Sequence, residues 1–173
     1  MSDTNFYSLK IADIQPETDS AVCISFDVPA ALAETFSFAP GQFLTLQATI
    51  DGKEVRRAYS ICSGLNDSNL RVAIKRVNDG VFSNYANDQF KVGDTLEVMP
   101  PQGTFSPDLS QDGKQFMCLA VGSGITPILS IIKSVLSSSK NSTVTLIYGN
   151  KRTNTVMFKE ELSFIKNSYL GRF

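Results

Sequence analysis

Apolar and polar residues alternate with a period near two over Phe6–Ile14 and Ala21–Val28, the signature of strands with one face buried. Gln42–Thr49 follows a Pro40–Gly41 turn. Asp51-Gly52, a strong hairpin dipeptide, leads into a returning strand over Glu54–Cys62. Leu70–Val77 alternates again, Asn78-Asp79-Gly80 breaks the pattern, and Val81–Gln89 has the spacing of a short helix. A Val92-Gly93-Asp94 turn precedes a last strand at Thr95–Met99. Six strands with short turns and one helical insert predict an all-β, six-stranded antiparallel barrel of Greek-key type.

The pattern changes after Pro101. Ser106–Lys114 is polar and turn-rich and reads as a linker. Phe116–Val121 is a nearly unbroken apolar run, as expected for a buried parallel strand, and Thr143–Tyr148 is a second. Helical spacing follows each, over Ile125–Leu136 and Val156–Ile165. Strand, helix, strand, helix predicts a parallel α/β layer, and the chain divides into a barrel over 1–112 and an incomplete α/β part over 113–173. The second part has about 60 residues, roughly half of an ordinary doubly wound domain. Two parallel strands and two helices leave a sheet edge open and one sheet face poorly covered. Gly171-Arg172-Phe173 falls where a third strand is expected to begin, so the chain reads as a piece of a larger protein.

Composition narrows the function classes. The net charge is −1, with 16 basic and 17 acidic residues, which leaves no electrostatic footprint for nucleic acid or a membrane surface. The most apolar stretch, Phe116–Leu136, carries Lys133 and is broken by Gly122, Gly124 and Pro127, so it is not read as a membrane span. The N-terminal MSDTNFYSLK has no basic leader followed by an apolar run, and a cytoplasmic location is expected. Cys23, Cys62 and Cys118 are too far apart in sequence for a metal cluster, and no metal site is expected. Histidine is absent, which removes Ser–His and Cys–His nucleophile pairs and the commonest general base. An enzyme of this composition draws its reactivity from a cofactor.

Three constellations carry candidate chemistry. Arg57-Ala58-Tyr59-Ser60 ends a strand, where Arg57 and Tyr59 share one face. A guanidinium suits a phosphate and the tyrosine ring can lie against a bound ring system. Taken alone, the motif is better explained as an exposed strand arginine beside a packed tyrosine. Gly80-Val81-Phe82-Ser83 opens a helix, where free N–H groups suit an anion; a plain helix-start turn is the alternative. Gly122-Ser123-Gly124-Ile125-Thr126-Pro127 lies between a buried strand and a helix, where glycines admit a dinucleotide to the helix start. It lacks the third glycine of the Rossmann fingerprint. Cys62, two residues past Ser60, reads as a small buried strand residue rather than a redox thiol.

In this order, with Ala73-Ile74-Lys75, Pro101-Gln102-Gly103-Thr104-Phe105 and Tyr148-Gly149-Asn150, the motifs resemble the ferredoxin–NADP reductase superfamily, in its oxygenase-reductase branch. The resemblance covers residues 5–173. It implies an NAD(P)H-dependent oxidoreductase that moves electrons from NADPH through FAD to an iron–sulfur partner, and from there to an oxygenase component. It also implies roles. Arg57 and Gly80–Ser83 would hold the FAD pyrophosphate, Tyr59 would pack on the isoalloxazine, Ser60 would hydrogen-bond near N5, and the backbone of Ala73–Lys75 would border the flavin. Gly122–Pro127 would receive the nicotinamide end, with Thr126 close to the transfer site. Asn150-Lys151-Arg152 falls where the adenosine ribose is expected. Two cations stand there without a carboxylate, which favours a 2′-phosphate and hence NADPH, with NADH open. FMN stays open beside FAD, since one phosphate would also satisfy Arg57 and Ser83.

Several family parts lie outside this sequence: the later nicotinamide-side strands with their Cys-Gly segment, and a ferredoxin domain with its Cys-x4-Cys-x2-Cys run. An iron–sulfur centre would therefore belong to another segment or a separate protein, and none is expected in this chain. A contrasting function is a non-catalytic partner-binding or assembly module on the same barrel. Titration with FAD discriminates the two.

Overall fold

The computed structural model describes residues 5–173; Met1–Thr4, part of the stretch read as lacking a leader, lie outside the described residues. Among the described residues, eight strands form two sheets, accompanied by three α-helices and three short 3-10 turns. The first sheet contains β1 (Tyr7–Thr18), β2 (Ala21–Asp27), β3 (Phe43–Ile50), β4 (Lys53–Ser60), β5 (Leu70–Lys75) and β6 (Thr95–Val98). Its order is β4-β3-β6-β1-β2-β5, with every pairing antiparallel. The chain crosses from β2 to β3 over two intervening strands, the expected Greek-key path. An Ile61–Val72 bridge joins the two edge strands and closes the barrel.

The local causes match the sequence pattern. Leu9 and Ile11 of β1 are buried while Ser8, Lys10 and Ala12 are exposed. Asp51 and Gly52 both take positive φ, 50° and 74°, as a two-residue hairpin turn requires. Two register shifts let β1 run beyond the predicted Ile14 and absorb Pro16. Helix α1 (Val81–Asp88) drives Phe82 and Ala86 into the barrel core beside Phe26, Leu44, Leu46 and Ile74.

After an irregular segment, β7 (Gln115–Val121) and β8 (Thr143–Gly149) pair in parallel, Gln115 with Thr143 through Val121 with Gly149. Helix α2 (Ile125–Ser138) connects them, and α3 (Lys159–Ser168) follows β8. These strands are not buried on both faces as the apolar runs suggested. Cys118, Ala120 and Val144 lie under α2, while Met117, Leu119, Val121 and Ile147 on the other face are 73%, 65%, 78% and 57% exposed. The chain's last residues lie along the outer edge of β8, where the Arg172 carbonyl accepts the Val144 N–H at 2.7 Å.

The barrel and the α/β layer share a core. Ala21, Cys23, Cys62 and Ala73 on the outside of the barrel pack in one buried cluster with Ile128, Ile132 and Val135 of α2. Ser130 Oγ donates to the Ser63 carbonyl at 2.6 Å, and Ser134 Oγ accepts the Leu65 N–H at 3.1 Å. A Cβ on Gly64 would come within 2.7 Å of the Lys133 Cβ, so only glycine lets the loop approach the helix this closely. Arg71 of β5, Asp67, Lys133 of α2 and Glu161 of α3 form an ionic cluster at the seam. Among the described residues, no helix is long and apolar enough to cross a membrane.

Candidate cofactor-binding site

Alternation along β4 puts Arg57 and Tyr59 on the same face. The half-buried Tyr59 ring packs on Phe82 of α1, with centroids 5.6 Å apart and planes inclined by 40°. Burial pushes the Tyr59 phenol up to about 12, and the nearby Arg57 guanidinium pulls in the opposite direction. Arg57 is exposed and donates through Nη1 to the Arg56 carbonyl at 2.7 Å; among the described residues no carboxylate pairs with it. Its remaining N–H donors are available to an anion. Ala58 between them is exposed, and Ser60, half-buried opposite Phe43, keeps its hydroxyl unengaged among the described residues.

Gly80 precedes the first turn of α1, which no side chain caps. The backbone donors of Val81 and Phe82 are thus available at an uncapped helix start. Ser83 differs from expectation in detail. It is buried, its Oγ accepts the Val77 N–H at 3.1 Å and donates to the Gly80 carbonyl at 3.3 Å, so the hydroxyl already serves the turn. A Cβ on Gly80 would meet that Oγ at 2.5 Å. Ala73 and Ile74 spend their side chains on packing, the first toward α2 and the second in the barrel core, which leaves their backbone and the half-buried Lys75 at the strand edge.

The Gly122–Gly124 turn packs against β5, so the structure brings the glycine turn beside the barrel edge. Gly122 has φ 54°, and a Cβ on Gly122 or Gly124 would meet nothing within 4 Å. The turn is therefore open to a ligand's approach. Thr126 is buried, and its Oγ1 donates to the Ser123 carbonyl at 3.1 Å, tying the turn to the helix; Pro127 sits in the first helical turn. Tyr148 Oη donates to the Gly122 carbonyl at 2.9 Å and brings the end of β8 against the turn. Beyond it, Asn150 is half-buried with its Oδ1 buried and without a hydrogen-bond partner among the described residues, while Lys151 and Arg152 are exposed and carry no ion pair there.

A family model described as the oxidoreductase FAD-binding domain matches residues 8–106, more than half of the sequence. The chain belongs to this family. A second model, the oxidoreductase NAD-binding domain, matches residues 118–173. The chain is 45% identical over 171 residues to a subunit of the 1,2-phenylacetyl-CoA epoxidase of Escherichia coli, covering 98% of this chain and 48% of that protein. It is 40% identical over 167 residues to the ferredoxin reductase component of 3-ketosteroid-9-alpha-monooxygenase of Rhodococcus rhodochrous, covering 95% and 46%. Among solved structures it is similar to phthalate dioxygenase reductase, described as a modular structure for electron transfer from pyridine nucleotides to [2Fe-2S]. That match has a TM-score of 0.77 and 29% identity, with 91% of this chain and 48% of that one covered. The chain spans about half the length of the curated relatives it matches.

The residues present fit both nucleotides. Arg57, with no carboxylate partner among the described residues, stands two positions from Tyr59 on β4, the Tyr59 ring packs on Phe82 at the uncapped start of α1, and an open glycine turn packs against β5. Two participants escaped the sequence reading. Phe82, read only as part of the Gly80–Ser83 motif, is the support on which Tyr59 rests. Tyr148, read only as a strand end, reaches the glycine turn. Helical spacing placed Phe82, and strand alternation Tyr148, on no particular partner, because each contact joins two different elements.

Proposed function

We propose that this chain binds FAD along β4, β5 and the start of α1, and receives NADPH at Gly122–Pro127. The protein to which it corresponds then passes electrons to an iron–sulfur centre serving an oxygenase, in the manner of a phenylacetyl-CoA epoxidase reductase. The observation that carries this reading is the meeting of Tyr59 with Phe82 of α1 beside an Arg57 that has no carboxylate partner among the described residues. Bound FAD supplies the chemistry that converts two-electron input into single-electron output.

The chain's own residues hold and orient. Arg57 and the first N–H groups of α1 bind the pyrophosphate, and Phe82 fixes the plane of the Tyr59 ring against the flavin. Ser60 would offer its hydroxyl to the ring edge, and the backbone of Ala73, Ile74 and Lys75 would border the flavin. Ser83 holds the Val77–Gly80 turn in the shape that presents those N–H groups. Gly122, Ser123 and Gly124 admit the second nucleotide, with Thr126 and Pro127 shaping the helix start behind them. Lys151 and Arg152 meet a 2′-phosphate beside Asn150. The two sheets and the two family matches support a flavin-side unit over 1–112 and a nicotinamide-side unit over 113–173. Three buried free thiols support a reducing compartment such as the cytoplasm.

Titration of the chain with FAD, followed by flavin fluorescence, tests the assignment. Saturable binding is expected, weakened about tenfold or more in Arg57→Ala, since hydrogen bonds to charged groups contribute about 1.5–3 kcal/mol. A protein that stays colourless after incubation with FAD defeats it. Arg152→Glu is expected to weaken NADPH and spare NADH; equal effects on both defeat the 2′-phosphate assignment.

A further inference from the structure

Among the described residues, one side-chain hydrogen bond reaches the Gly122–Gly124 turn from another strand, and it comes from Tyr148. The turn has little else to hold it. Its glycines offer no side chains, and their Cβ positions face open space. The Thr126–Ser123 bond is local. Gly122 is in the left-handed region at φ 54°, and its carbonyl accepts both the Ile125 N–H and the Tyr148 hydroxyl. The Asn150 side chain and the Met157 backbone amide lie near the hydroxyl.

The direction of that bond matters because a trans peptide is planar, so the carbonyl of one residue and the N–H of the next point opposite ways. With the Gly122 carbonyl drawn toward Tyr148, the Ser123 N–H points away from β8, on the exposed side of the turn. From these contacts, and resting on the reading of this turn as the dinucleotide site, we infer that Tyr148 is a positioning residue. Its hydroxyl fixes the Gly122–Ser123 peptide so that the Ser123 N–H stands ready to bond the nicotinamide dinucleotide. Because Tyr148 lies two residues before Asn150, the same side chain sets the spacing between the turn and the Lys151–Arg152 cations.

Tyr148→Phe tests this, since it keeps the ring in the core and removes only the hydroxyl. In the 173-residue chain loaded with FAD, NADP⁺ affinity measured by calorimetry is expected to fall about tenfold, the order set by loss of one oriented hydrogen bond. FAD affinity and Tm are expected to stay near those of the parent. The Ser123 amide resonance is expected to shift when NADP⁺ is added to the parent and to shift less in the variant. Unchanged NADP⁺ affinity, a parent Ser123 amide insensitive to NADP⁺, or joint loss of FAD and NADP⁺ affinity overturns the positioning role. A parent chain that binds FAD but no NADP⁺ overturns the reading of the turn itself, and the role of Tyr148 with it.

Discussion

Gly41, in the turn before β3, has φ 97°, and a Cβ on it would lie 1.8 Å from the Phe105 carbonyl oxygen. Both facts oppose any side chain. Gly41→Ala is therefore expected to lower stability by about 2 kcal/mol or more, read as a fall in the urea midpoint, because it combines a strained φ with a backbone collision. The Pro40–Gly41 turn was legible from its residues; its partner, more than sixty positions away, was not. Tyr59 allows a pH test. Its folded-state phenol is raised to about 12, above the ordinary value of 10.0. The folded protein keeps the proton where the unfolded chain has lost it, so the stability this group contributes is complete below pH 10 and declines as pH rises toward 12. Urea midpoints of apo Tyr59→Phe are expected to fall less steeply over that window than those of the parent.

Among the elements, α3 shows where local pattern loses to tertiary packing. Apolar spacing placed its start at Val156, but Met157 and Phe158 are buried in the shared core and the helix begins at Lys159. Phe158 is left-handed at φ 57°, and its N–H donates to Glu17 Oε2 at 3.0 Å. Burial raises the Glu17 carboxyl, the Phe158 bond lowers it, and Glu161 and Glu160 raise it further. For an acid with a raised folded value, the linked stability is full below its ordinary 4.5 and lost as pH rises through the folded value. Glu17→Gln keeps an acceptor for Phe158 and removes the charge, so a higher Tm at pH 7.5 and a flatter acid-side profile are expected. Glu161 matters through its ion pairs. It is the shared acceptor of Arg71, at 2.8 Å, and of Lys133, with the three side chains between 16% and 23% exposed. Glu161→Gln is expected to cost about 2 kcal/mol, with the loss shrinking in high salt. None of these three contacts was readable from sequence, since Glu17–Phe158 spans 141 positions, Arg71–Glu161 spans 90 and Lys133–Glu161 spans 28.

At the scale of the whole molecule, the existence of six antiparallel strands and the change to a parallel layer were readable because turn residues and alternation are local signals. The apolar runs of β7 and β8 read the same whether one face or both are covered, but the open face was legible from another signal, two helices being too few to cover both faces of the sheet. Met117, Leu119, Val121 and Ile147 form an apolar surface on the face away from α2. The 173-residue chain is expected to bind a hydrophobic dye such as ANS, and Leu119→Ser with Val121→Ser to reduce that signal while sparing FAD affinity. Dye binding that is unchanged by the double variant would assign the signal elsewhere.

Gly64 carries a mechanical consequence. The loop after β4 lies directly against the Lys133 Cβ and is tied to α2 by the Ser130–Ser63 and Ser134–Leu65 hydrogen bonds, so little room is left for the two to slide. The separation between the Tyr59 side of the barrel and the glycine turn is thus expected to be set when the chain folds. The same contact means that cutting the chain near residue 112 would strip the covering from Ala21, Cys23, Cys62 and Ala73, so an excised barrel would meet water with a wall built to be dry.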